Sequence, residues 1–196
     1  MTTQPLAADS PKVFQALARF LGPEELALVE LDYTQAQALG GNSERGLMRE
    51  EGVSFNPRLA RIMSIIIRDL AVRDPLVIRA SLYCAVLDSG FGVEQPQMAR
   101  SAELDVPAEL QSLVGDAAFS SPRAEASLTI RAVIALDTVR HLHQGSSSTE
   151  EREATLLYAQ SLVRRLAERD PSTQLAIKLN HAIELQRRRG SVLSAE

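Results

Sequence analysis

One stretch constrains this chain more than any other. Behind Asp74-Pro75 runs LVIRASLYCAVL, with Leu76, Val77, Ile78, Leu82, Tyr83, Val86 and Leu87 spread round every side of a helical wheel. Little that is polar follows until Asp88. Its Val and Ile would suit a strand, but its length and its start argue for a helix. An Asp followed by Pro supplies a cap and a pre-set first turn. A helix that is apolar nearly all round has no face to give to water. It must be central, with other helices packed about it.

The rest of the chain supplies those helices. Ser10-Pro11 opens one carrying Val13, Leu17 and Phe20-Leu21, and Gly22-Pro23 ends it. Pro23-Glu24-Glu25 opens a second, with Leu26, Val29, Tyr33 and Ala36, which ends near Gly40-Gly41. The Gly-rich, charged segment after it reads as a loop. Pro57 begins an amphipathic helix on Leu59, Ile62, Met63, Ile66 and Leu70, with the i, i+3, i+4, i+7 recurrence of one helix face. Residues 90–107 are irregular, broken by Gly90, Gly92, Pro96 and Pro107. A short helix is expected over Ala108–Val114 and a long one over 123–143. After QGSSS, Thr149 starts another, with Leu156, Leu162, Val163 and Leu166. Asp170-Pro171 introduces the last, with Leu175, Leu179, Ala182 and Ile183. The expectation is one all-α domain of seven or eight helices, with a core over about residues 10–145 and a C-terminal helical hairpin over about 149–189.

Composition agrees with packed helices. Of 196 residues, 45% are hydrophobic but only 4% aromatic, with no Trp. The core must come from Leu, Ile, Val and Ala. The net charge of −4 gives no basic excess to hold a nucleic acid. Arg187-Arg188-Arg189 sits where basic side chains answer a helix dipole. One Cys excludes an internal disulfide or a Cys-rich zinc site, and fits a reducing compartment. No secretory signal stands in residues 1–10 and no run reaches the length of a membrane span. A cytoplasmic protein is expected.

Common catalytic motifs are missing. Gly40-Gly41 and Gly46 lack the Lys-Ser/Thr of a phosphate loop, and neither His-Glu-x-x-His nor a Ser elbow occurs. Cys84 has no cationic neighbour in sequence and reads as a small buried hydrophobe. Asp137 draws more interest. Ile130, Ile134, Asp137 and His141 share one helix face that begins apolar. A carboxylate there needs a partner, because an unpaired buried charge is costly. Two readings stand: a metal ligand or general base oriented by His141, or a satisfied structural pair with His or Arg.

The order of features then resembles a known family. A helix, a Gly-rich loop and GVSFNPRLARIMSIIIRDLAVRDPLVIRASLYCAVLDSG are similar to the HD superfamily of metal-dependent phosphohydrolases. The hydrolase domain of the Rel/Spo (p)ppGpp hydrolase–synthetases is the member it resembles most, over about residues 30–143. That family carries a His before Pro at the start of one helix, a His-Asp at the end of the next, a Glu-Asp after it, and a later Asp. In this chain the resemblance puts Asn56 at the first His, Cys84 and Ala85 at the His-Asp, Asp88 and Ser89 at the Glu-Asp, and Asp137 at the last Asp.

The departures set the functional expectation. Such sites hold manganese through two His and two Asp, and the ion makes the hydroxide that hydrolyses. With Asn56, Cys84 and Ala85 in those places, the resemblance implies a degenerate HD-like domain without catalysis or metal. It would act as a regulatory module binding a nucleotide or a protein. Arg58, Arg61, Tyr83, Asp88, Asp137 and His141 are its expected pocket residues. Arg58 and Arg61 are either phosphate partners or exposed helix charge. The alternative is a manganese-dependent phosphohydrolase with a shifted site built on Asp88, Asp137 and His141. A homo-oligomer is a further expectation, formed through apolar stripes on the last two helices.

Overall fold

Asp74 closes the start of the apolar helix as its sequence demands. Its Oδ1 accepts the Leu76 amide at 2.9 Å and its carbonyl accepts that of Ile78 at 3.2 Å. The computed structural model describes residues 12–43, 55–87, 106–114, 124–142 and 148–193, and among these the chain is all-helical. In order, the helices are α1 (Lys12–Leu17), α2 (Pro23–Ser43), α3 (Phe55–Ser64), α4 (Pro75–Leu87), α5 (Ala108–Val114), α6 (Ala124–Arg140), α7 (Thr149–Arg169) and α8 (Gln174–Leu193). α3 runs into a π-helical turn, Ile65–Asp69.

Two helices share the centre. α4 packs on α2, α3, α5 and α6, as an all-round apolar helix must. α6 contacts α3, α4, α5, α7 and α8, and eleven of its 17 residues are buried. Its interior includes Leu128, Ile130, Val133, Ile134 and Leu136. Each such side chain, fully buried, contributes about 1.5–3 kcal/mol. Side chains from all eight helices join one hydrophobic cluster.

Several ends differ from expectation for local reasons. α2 continues through Gly40-Gly41 to Ser43. α6 ends at Arg140, where His141 donates its amide back to the carbonyls of Asp137 and Thr138. Asp170 does not start α8. It caps the end of α7 through its amide to Leu166, while its carboxylate accepts Ser172 in a tight turn. Thr173 then takes the first carbonyl role, accepting Ile177 at 3.2 Å. α7 opens with a full capping box between Ser148 and Glu151.

The π turn explains a burial pattern that a regular helix forbids. Ile65, Ile66 and Ile67 are all buried, although three consecutive α-helical residues span most of a turn. Leu70 donates to Ile65 and Val72 to Ile66, each at 3.1 Å, so the helix closes in a widened register. Ala71 sits between them at φ 53°. That is left-handed backbone, which costs a residue with a Cβ about 1–2 kcal/mol.

α7 and α8 form the expected hairpin. Arg152 donates to the Gln186 carbonyl at 2.7 Å and Arg187 to Gln160 Oε1 at 2.8 Å, fixing their antiparallel register. The stripes expected to meet a second copy are used within the chain. Leu156, Leu162 and Leu166, with Leu175, Leu179 and Ile183, are buried in a hairpin that packs on α6. Gln186, itself buried, donates to the Val139 carbonyl of α6 at 2.8 Å. Among the described residues no helix is long and apolar enough to cross a membrane.

Candidate functional site

α3 and α6 meet at a buried carboxylate. Asp137 projects from α6 with its side chain 2% exposed. Arg61 on α3 grips it with two hydrogen bonds, Nε to Oδ1 at 2.8 Å and Nη2 to Oδ2 at 3.2 Å. This is the planar fork by which guanidinium matches carboxylate. Arg58, one turn earlier, holds its Nε 3.9 Å from Oδ2 and donates Nη2 to Thr138 Oγ1 at 3.2 Å. From α6 itself, His141 places Nδ1 2.8 Å from the Asp137 carbonyl and 3.3 Å from Oδ1. With oxygens as its neighbours, Nδ1 carries the proton. Nε2 is then turned away, on a ring 42% exposed.

The second reading of Asp137 is therefore the one the structure holds: a carboxylate satisfied by Arg and His. The arginines are not exposed helix charge. Their side chains are 12% and 30% exposed and serve α6. The expectation failed because helical spacing places Arg61 off the apolar stripe of α3, and that spacing carries no information about a buried anion on another helix.

The remaining candidates lie apart from this cluster or outside the described residues. Cys84 and Ala85 are buried in α4, with the Cys84 Sγ 3.9 Å from the Leu113 carbonyl of α5. Asn56 lies in the first turn of α3. Asp88 and Ser89 lie outside the described residues. The helices carrying Asn56, Cys84 and Asp137 do pack on one another. Tyr83 is not a pocket residue. Its ring is fully buried, and its phenol lies 2.8 Å from Asp32 Oδ1 and 2.7 Å from Gln35 Oε1 on α2. With a single proton it donates to the carboxylate, and the Gln35 amide, turned over, donates back.

Tyr83 belongs to a polar network that sequence reading missed. Asp32 is 1% exposed and pairs with the buried Arg79 through Nε. Arg79 also donates Nη2 to Glu109 Oε1 of α5 at 3.0 Å. Burial pulls the Arg79 guanidinium down, but Asp32 and Glu109 more than offset it and hold the pKa above its ordinary value. Glu109 is held below the usual carboxylate range by its backbone hydrogen bond and by Arg79. A signal existed: Asp32 interrupts the Val29–Tyr33–Ala36 stripe, and Arg79 is the one cation in an apolar helix. Each demands a buried partner of the other's sign.

The residues present do not fit a manganese ion at Asp137. Both carboxylate oxygens already face a guanidinium, and a second guanidinium stands beside them, so an incoming dication meets like charge. Among the described residues, no group of three or more His, Cys, Asp or Glu side chains is placed to hold a metal. No family model matches the chain, and no match was found among curated proteins or solved structures.

Proposed function

We propose that this chain is a non-catalytic helical module that regulates by binding a ligand or partner, built on an HD-like arrangement whose metal chemistry is gone. The observation that carries the reading is the fork between Arg61 and Asp137. The resemblance makes Asp137 the last acid of a metal site, and here a side chain supplies the positive charge that the ion would bring. Hydrolysis in such a family needs metal-activated water. The paired carboxylate cannot both keep its guanidinium and ligate an ion. In this reading Ala85 and Cys84 have become core, and the single buried thiol suits the reducing cytoplasm.

Metal content tests the proposal. Protein purified without chelator, then loaded with manganese and desalted, should hold far less than one ion per chain by elemental mass spectrometry. It should release no pyrophosphate from guanosine tetraphosphate. Near-stoichiometric metal that disappears in Asp137→Asn, with hydrolysis above the blank, would overturn the reading and restore the shifted-site phosphohydrolase.

A further inference from the structure

The geometry points to a small-anion site at the mouth of the α3–α6 contact, formed by the outer edge of Arg61 and by His141, with the Arg58 charge behind them. It takes a phosphate monoester group. This rests on the metal-free reading above, because an ion on Asp137 would displace Arg61.

The argument is one of hydrogen-bonding capacity and charge. A guanidinium carries five N–H bonds. Arg61 spends its Nε–H and one Nη2–H on Asp137. Its other Nη2–H and both Nη1–H bonds lie on the edge away from the carboxylate, on a side chain still 30% exposed. His141 spends Nδ1 on Asp137 and presents Nε2 from a ring 42% exposed. One buried carboxylate thus orients two donor groups from two different helices. Neither must be ordered when a ligand arrives, which removes a main cost of binding. Arg58 brings a second guanidinium within 3.9 Å of the same carboxylate, so two fixed cations stand against one fixed anion. That surplus, met by a planar fork, favours a doubly charged tetrahedral group over a singly charged carboxylate.

Titration of metal-free, full-length protein with phenyl phosphate and with inorganic phosphate tests this, followed by the His141 ring resonances at constant ionic strength set with chloride. Acetate serves as the planar, singly charged comparison. Two variants keep the fold. Arg61→Lys retains a cation for Asp137 but loses the outer fork. His141→Gln changes an exposed helix end. Saturable binding of phenyl phosphate, tighter than acetate and weakened about tenfold or more by each variant, is expected from the loss of one charge-assisted contact. No saturable binding, acetate bound as tightly as phosphate, or binding that either variant leaves unchanged would overturn the site. The metal assay stands apart: stoichiometric manganese sinks the metal-free reading, whereas metal-free protein that ignores phosphate sinks only this site.

Discussion

Arg61 and Asp137 stand 76 residues apart in sequence and join their helices through a hydrogen bond of 2.8 Å. The acid is buried and the base only partly so, and the two losses therefore differ in kind. Arg61→Ala leaves a carboxylate in the interior without its main partner. It should destabilise by about 3 kcal/mol, the order found when a buried pair loses one member. Changing both residues to Leu removes the stranded charge and should cost less than the two single losses combined. Urea unfolding of the four proteins in a double-mutant cycle measures the difference. Strict additivity would mean that the pair is not coupled.

The α2–α4 contact makes a second, sharper case. Tyr83→Phe removes one buried donor from Asp32 and should cost about 1–2 kcal/mol. Arg79→Met strands the same carboxylate and should cost about 3–5 kcal/mol, with much of the chain failing to fold at ordinary temperature. Thermal melts of the two variants should rank in that order.

At Ala71 the expected change is a gain. Its φ of 53° is open to glycine without steric strain, while glycine costs entropy in the unfolded chain. The balance should leave Ala71→Gly more stable by about 0.5–1 kcal/mol. A lower melting temperature would show that the left-handed turn is not a source of strain.

Acid sensitivity should report on Asp170 and Glu109. The Ser172 hydroxyl and amide hold the Asp170 carboxyl below its ordinary value, and Glu109 is lowered as well. A carboxyl depressed in the folded state adds stability above its unfolded value of about 4, and loses it as pH falls through the folded value. Replacing both with their amides should flatten the fall in stability below about pH 4 and leave the slope near neutral pH unchanged. An unaltered acid limb would show that neither group contributes to it.

The legibility of this chain divides along a physical line. Apolar periodicity and caps made the helices visible: Asp74-Pro75, Ala108–Val114 and the α7–α8 hairpin are where the residues put them. The polar interior was not. Asp32, Arg79, Arg61 and Asp137 find partners through packing between distant segments, and local spacing cannot say which distant charge will arrive. The π turn was equally hidden, since Leu59, Ile62, Met63, Ile66 and Leu70 fit an ordinary helix until three isoleucines must all turn inward. The central role of α6 was masked by the charges it buries.

That role carries a kinetic consequence. α6 lies under five neighbouring helical elements, so its backbone amides can reach solvent only when the whole assembly opens. The middle of α6, from Ile130 to Leu136, should retain deuterium-free amides longest of the described segments, as a clock for global unfolding. The amides of α1, which rests on only α2 and α3, should exchange through local opening long before.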